Sequence, residues 1–202
     1  MTASPLIAVY ADESCLGNGR EGDNPGGAAG LIECLHIGTG ELIRRDFWIS
    51  DPATTNNRMA LRSVIEALRI LGAKGRSLRV VFTTDSNYIV QGMNEWVPVW
   101  KERGWTRKGG TIENLSLWKE ADEARRQHDV QFVWVRGHDG HPQNEYANDL
   151  AMRAARELTS SGGAVESGFA EWLASREARG ATRAPTEFPP EVLRAWRSLP
   201  RG

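Results

Sequence analysis

Two aspartates stand directly after short apolar runs, Asp12 after Leu6–Ala11 and Asp85 after Leu78–Thr84. A short, nearly continuous apolar run suits a strand buried on both faces in the middle of a sheet, so each acid is delivered at a strand exit. If the two strands pair, two carboxylates stand side by side. Their oxygens are the donors that a hard divalent cation takes. One strand-exit aspartate alone means little, since aspartates often cap helices or begin turns. A third stretch, Val135–Ala151, carries an apolar strand into a helix through Gly137-His138-Asp139-Gly140-His141-Pro142, a turn crowded with groups able to meet phosphate and metal.

The elements that must hold these residues are legible around them. After Asp12 comes a Gly/Asn-rich loop, and then Ala28–Leu35 and Glu41–Ile49, separated by Gly38-Thr39-Gly40, read as a hairpin. Three adjacent antiparallel strands result. From Asn56, apolar residues Met59, Val64 or Ile65, Leu68 and Leu71 recur at helical spacing and stop at Gly72 and Gly75, which predicts a crossover helix. Such a crossover joins neighbouring parallel strands in the right-handed sense, which sets Asp85 beside Asp12. A short helix follows Ser86, then an aromatic and basic stretch, a helix over 113–127, a strand over Val130–Val135, and a last helix over 144–158. The fold class is α/β with a five-stranded mixed sheet in the order 3-2-1-4-5, flanked by helices. Ser160-Ser161-Gly162-Gly163 reads as a linker, which divides the chain into a domain over 1–158 and a linker with helical C-terminal extension over 159–202.

Composition narrows the function. The 202 residues carry a formal net charge of -1, so any nucleic-acid affinity must come from a local basic patch and not from a global positive field. Cys15 and Cys34 are the only cysteines, too few for a disulfide framework, and are expected to be reduced thiols in a cytoplasmic protein. Nowhere do 18 apolar residues run together, so the expectation is a soluble, unprocessed chain without a membrane span. In 163–202, Phe169, Trp172, Leu173, Val192, Leu193 and Trp196 outline two short amphipathic segments broken by prolines. They read either as a tail folded over the domain's apolar surface or as a docking element for a protein partner or for self-association.

Taken together, Asp12-Glu13-Ser14-Cys15-Leu16-Gly17-Asn18, Thr54-Thr55-Asn56-Asn57-Arg58-Met59, Thr84-Asp85-Ser86 and Gly137-His138 through Asn144-Glu145 and Ala151, in this order and spacing, resemble the type 1 ribonucleases H. The resemblance covers about residues 6–157. It implies a domain that cuts the RNA strand of RNA/DNA hybrids with two divalent ions, Mg2+ or Mn2+, held by four carboxylates. By this resemblance Asp12, Asp85 and Asn148 are the metal positions, and His138 is the histidine that assists proton transfer beside them. Two of the four carboxylates are missing, because Ala60 and Asn148 stand where the family has glutamate and aspartate. The resemblance therefore implies a site that is weakened or inactivated, or else works with an altered ligand set. The alternative is a non-catalytic hybrid or duplex binding module with a docking tail.

Two acids depart from the family pattern and are candidates to compensate: Glu13, beside Asp12, and Asp149, beside Asn148. A one-residue step reverses the face of a strand and turns a helical side chain by about 100°. Glu13 therefore reaches the ion site if the strand is bulged at its exit, and otherwise is a solvated loop acid or cap partner. The same resemblance assigns Cys15, Asn18, Asn56 and Asn57 to the hybrid's minor groove, and Asn87 and Gln91 to its backbone. Trp96, Trp100 and Trp105 with Lys101, Arg103, Arg107 and Lys108 resemble the basic handle of the family's bacterial branch. Its cations meet phosphates, while its tryptophans read more readily as structural. His141 reads as a surface or packing residue, and Asn144 and Glu145 as residues that cap and open the last helix.

Overall fold

The run Leu6–Ala11 is the body of β1 (Leu6–Cys15) in the computed structural model, which describes residues 5–17, 24–180 and 183–197. β2 (Gly26–Leu35) and β3 (Leu42–Asp51) follow as the predicted antiparallel hairpin, and β1 pairs with β2 along its whole length, from Ile7↔Cys34 to Cys15↔Gly26. The crossover is α1 (Asn56–Gly72), which opens one residue after its N-cap Thr55 and delivers β4 (Arg79–Thr84) parallel to β1. Then come α2 (Asn87–Gln91), a π-helical turn over Gly92–Trp96, α3 (Val97–Glu102), α4 (Leu115–Arg125), β5 (Asp129–Trp134) and α5 (Pro142–Glu157). α5 begins two residues before its predicted start because Pro142 is preset for the first helical turn and His141 caps it.

The sheet has six strands, ordered β5-β4-β1-β2-β3-β6, where five were predicted. The predicted order 3-2-1-4-5 is kept within it. The sixth is β6 (Val165–Glu166), beyond the glycine-rich linker, which pairs antiparallel with β3 at Arg45↔Glu166 and Asp46↔Val165. Two residues are too few for the alternating pattern that announces a strand, and what fixes them is the otherwise open edge of β3. The linker serines dock there too: Ser161 Oγ accepts from Trp48 N at 3.1 Å, and Ser160 Oγ from Ser50 N at 3.2 Å.

Strand alternation sorts the side chains into two cores. Ile7, Val9, Ala11, Val80 and Phe82 face α1 and α4, where they pack with Ala60, Leu61, Val64, Leu68 and Trp118. Ala8, Tyr10, Leu31 and Val81 face α5, with Tyr146, Leu150 and Ala151. α6 (Phe169–Glu177) and α7 (Glu191–Arg197) complete this second core: Phe169 and Leu193 are fully buried in it, and Trp172, Leu173 and Val192 pack against it. Trp196 is in α7, but its side chain lies outside the described residues. β2 can lie flush on α5 because Gly27 has no side chain, since a Cβ there would overlap the Ala151 carbonyl. Among the described residues no helix is long and apolar enough to cross a membrane.

Candidate metal and nucleic-acid site

β1 runs past its partner β4. Their parallel pairing ends at Tyr10↔Thr83, whereas β1 stays paired with β2 through Cys15. The last stretch of β1 thus has one free edge, and Asp85, just past the end of β4, stands opposite it. Carboxylate oxygens of Asp12, Glu13 and Asp85 lie within 4.8 Å of one another. Glu13 is reached without a bulge, since Asp12↔Ala29 and Glu13↔Ala28 are consecutive partners in an unbroken ladder. Glu13 therefore joins the acidic cluster, as one of the two expected alternatives had it, but as a regular strand residue and not through a bulge. Alternation sends it to the α1 side of the sheet, the side on which Ala60 is fully buried. The face reverses, but adjacent Cα atoms are only about 3.8 Å apart, and the longer glutamate arm can bring its head back toward Asp12.

The three acids are held, and each is held differently. Asp12 is 6% exposed; its Oδ1 accepts from Glu13 N at 2.7 Å and its Oδ2 from Asn144 Nδ2 at 3.3 Å. Burial, and then the negative charge of Asp85, push its pKa up to about 8 despite these bonds. Glu13 is held well above the ordinary carboxylate range by burial and by repulsion from Asp12 and Asp85, with a hydrogen bond from Ser86 opposing. Its Oε2 is buried without a hydrogen-bond partner among the described residues. Asp85 is raised by burial, and His138 on the neighbouring turn counters this. That turn approaches so closely that a Cβ on Gly137 would overlap Asp85 Oδ2. Crowded, mutually repelling carboxylates with an orphaned buried oxygen are the donor set that a hard divalent cation satisfies.

His138 is exposed at the tip of the turn in the left-handed region, φ 53°, near enough for its charge to act on Asp85. Asn148 is half-buried on α5, one turn beyond Asn144 and hence on the same helix face. Asp149 is exposed and does not join the cluster; its Oδ2 accepts from Trp172 Nε1 of α6 at 2.8 Å. Asn144, expected only to open α5, touches Asp12, and its spacing from Asn148 was the available signal. His141, expected as a surface or packing residue, is half-buried and is also the α5 N-cap: its Nδ1 accepts from Asn144 N at 3.3 Å.

Among the residues assigned to substrate, Asn56 and Asn57 form the first turn of α1, with Asn57 exposed. The Cys15 thiol donates to the Thr54 carbonyl at 3.5 Å, tying the end of β1 to the loop before α1. Asn87 and Gln91 are exposed on α2. Asn18 and most of the glycine-rich loop lie outside the described residues. In the handle, Trp96 and Trp100 pack on Trp118, whose Nε1 donates to the Tyr88 hydroxyl at 3.0 Å, so these rings are structural. Lys101 does not project with the other cations; its Nζ pairs with the buried Asp122 at 2.8 Å. Arg103, Arg107 and Lys108 are exposed and make no ion pair with a described residue.

Known proteins bear on this geometry. Residues 5–156 match the family described as RNase H. The chain is 42% identical over 148 residues to a ribonuclease H of Stutzerimonas stutzeri, covering 73% of this chain and 89% of that one. It is 41% identical over 160 residues to a ribonuclease H of Pseudomonas paraeruginosa, covering 78% and 99%. The crystal structure of LC9-RNase H1, described as a type 1 RNase H with the type 2 active-site motif, superposes with a TM-score of 0.87 at 58% identity, over 96% of this chain and 92% of that one. That breadth takes the likeness beyond the family match and into the C-terminal extension. A foamy viral protease-reverse transcriptase, solved in complex with an RNA/DNA hybrid, shares only the fold, at 19% identity and a TM-score of 0.62. With its strand-end acids adjacent and its sheet, crossover and turn in the shared order, the chain belongs to the type 1 ribonucleases H.

Proposed function

We propose that this chain hydrolyses the RNA strand of RNA/DNA hybrids endonucleolytically, with Glu13 as the third carboxylate of its metal site. The observation that carries the reading is the convergence of Glu13 with Asp12 and Asp85. The negative charge that Ala60 cannot offer is supplied from β1 on the α1 side of the sheet. The site is then rearranged rather than crippled, and the non-catalytic alternative loses its main support. Asp12, Glu13 and Asp85 would hold divalent ions, Mg2+ in the first instance and Mn2+ as a substitute, with Asn148 adding a neutral carbonyl oxygen. Ions bound there supply an activated water and charge neutralisation at the scissile phosphate. Asn144 orients Asp12, Ser86 orients Glu13, and His138 on its exposed turn holds or delivers a proton where the leaving oxygen departs.

Cys15, Asn56 and Asn57 stand together at the β1 exit and the α1 start, which suits the minor groove of a hybrid, where 2′-hydroxyls are displayed. Asn87, Gln91, Arg103, Arg107 and Lys108 then follow its backbone. The organisation as a catalytic domain over 1–158 with an extension over 159–202, and a place in the cytoplasm, belong to the same reading. A docking role for 163–202 has less to stand on, because Phe169 and Leu193 are spent inside the chain's own second core. The test is cleavage of end-labelled RNA annealed to DNA, beside RNA and DNA duplexes of the same sequence, in Mg2+ and in Mn2+. Internal cuts confined to the hybrid's RNA strand are expected; no cutting in either ion would refute the proposal.

A further inference from the structure

The C-terminal strap over 183–188 touches one part of the domain repeatedly, the turn that carries His138 into α5. Gln143, fully buried, donates through Nε2 to the Thr186 carbonyl at 2.7 Å and accepts at Oε1 from Thr186 N at 3.0 Å. The Thr186 hydroxyl lies 3.0 Å from His141 Nε2. Arg183 donates to the Asp139 carbonyl, and Arg176 of α6 pairs with Glu145. These contacts are specific and polar, and they grip one turn of sequence from Asp139 to Glu145.

The consequence runs inward. His141 Nδ1 accepts from Asn144 N, so that nitrogen must be unprotonated and Nε2 carries the ring proton, which it donates to Thr186 Oγ1. The ring also packs against Tyr10 of β1, with centroids 5.5 Å apart. With its tautomer and its cap fixed, α5 begins where Asn144 Nδ2 reaches both the Ala11 carbonyl and Asp12 Oδ2. A chain of contacts thus joins Thr186 to His141, to Asn144, to Asp12.

We propose that Thr186 is a positioning residue for the metal site: through the His141 tautomer it sets the start of α5 and thereby the Asn144–Asp12 contact. The extension is then part of the active-site architecture as well as a cover for the second core. The inference rests on the proposed hydrolysis only for its kinetic readout. Loss of an outer hydrogen bond to a metal-binding group typically costs about tenfold or more in metal affinity or activity, and Asn144, which Thr186 reaches through His141, makes such a bond to Asp12.

The test pairs Thr186→Val, which keeps the shape and removes the hydroxyl, with Thr186→Ser, which keeps the hydroxyl. Both leave the backbone bonds to Gln143 in place. Hybrid cleavage at saturating divalent ion should show kcat lowered about tenfold in Thr186→Val with KM within about twofold, and near-complete rescue in Thr186→Ser. The imidazole nitrogen resonances of His141 in the unmodified protein should report the Nε2–H tautomer. Equal losses in both variants, or no loss in either, would overturn the proposal. So would an Nδ1–H or doubly protonated ring at neutral pH in the unmodified protein, a result that stands whether or not the variants fold. If the unmodified protein cuts no hybrid, the hydrolysis reading fails, while the resonance measurement still decides the fate of the contact chain.

Discussion

Two of the places where the sheet buries acids surround them differently. At the β3 edge, Asp46 is 3% exposed, yet its Oδ2 accepts from the Tyr146 hydroxyl at 2.5 Å and from Gly168 N at 3.1 Å. Ser167 adds a hydrogen bond and Arg153 a compensating charge. At the β1 exit, Asp12, Glu13 and Asp85 are crowded against one another, and what raises Asp12 and Glu13 after burial is the neighbouring acid. Asp46 Oδ2 is satisfied by its own chain, although Oδ1 has no partner among the described residues, and the residue serves to fasten α5 and the segment before α6 to β3. In the triad the difference is the neighbouring acids: the carboxylates repel one another with no counter-charge beside Glu13, an arrangement a cation would relieve.

Breaking each end should therefore give different phenotypes. The largest effect is expected from Glu13→Gln, which removes one charge without changing volume. Hybrid cleavage should fall by about a hundredfold or more, while the metal-free protein melts no lower than the unmodified chain. Cleavage within about threefold of the parent would remove Glu13 from the site. Asp46→Asn should do the reverse, costing about 2 kcal/mol of stability, or roughly 4–8 °C in Tm for a chain of this size, because a buried charge-assisted bond is weakened. Its turnover per folded molecule should hardly move; a large loss of turnover with unchanged Tm would blur the distinction between the two ends.

Burial raises Asp46 as well as Asp12 and Glu13, so what separates the two ends is how divalent ion changes the pH dependence. An acid whose folded pKa lies above its unfolded value stabilises the fold fully below the unfolded value, near 4, and loses that contribution as pH rises through the folded one. For Asp12, raised to about 8, the window runs from about pH 4 to 8, and Glu13 acts in the same direction. In chelator, Tm should fall across this window. Added divalent ion should flatten the fall, because it stabilises the ionised acids. A Tm that is insensitive to divalent ion at pH 8 would count against a metal site.

The smallest effect concerns the handle. Arg103, Arg107 and Lys108 replaced together by alanine should reduce the slope of log K against log salt for hybrid binding by roughly 2–3, about 0.9 for each phosphate no longer neutralised. Lys101→Ala should leave that slope unchanged and lower Tm instead, since its partner is the buried Asp122. An unchanged slope in the triple variant would separate the handle from nucleic acid.

Much of this was legible in the residues. Apolar runs ending in Asp12 and Asp85, joined by a helix with clean periodicity, dictate parallel neighbours and side-by-side acids, and the structure has both. β6 was not legible, because two residues paired to an open edge carry no pattern of their own. Glu13 was a candidate, but the bulge expected to bring it in was not needed, because strand alternation counts faces and not reach: along an edge left open by β4, a glutamate's extra methylene lets its head come round toward its neighbour. Lys101 looked like its basic neighbours, and only the fold shows that Asp122 of α4 claims it. The partnership of Thr186 with Gln143 and His141 spans more than forty positions and leaves no local signal.

The most direct measurement is anomalous diffraction from crystals of the protein soaked in Mn2+. A peak is expected within about 2–2.5 Å of carboxylate oxygens from Asp12, Glu13 and Asp85, the usual range for oxygen ligands of such ions. A peak held by Asp12 and Asp85 with the Glu13 carboxylate turned away, or no peak beside them at all, would contradict that expectation.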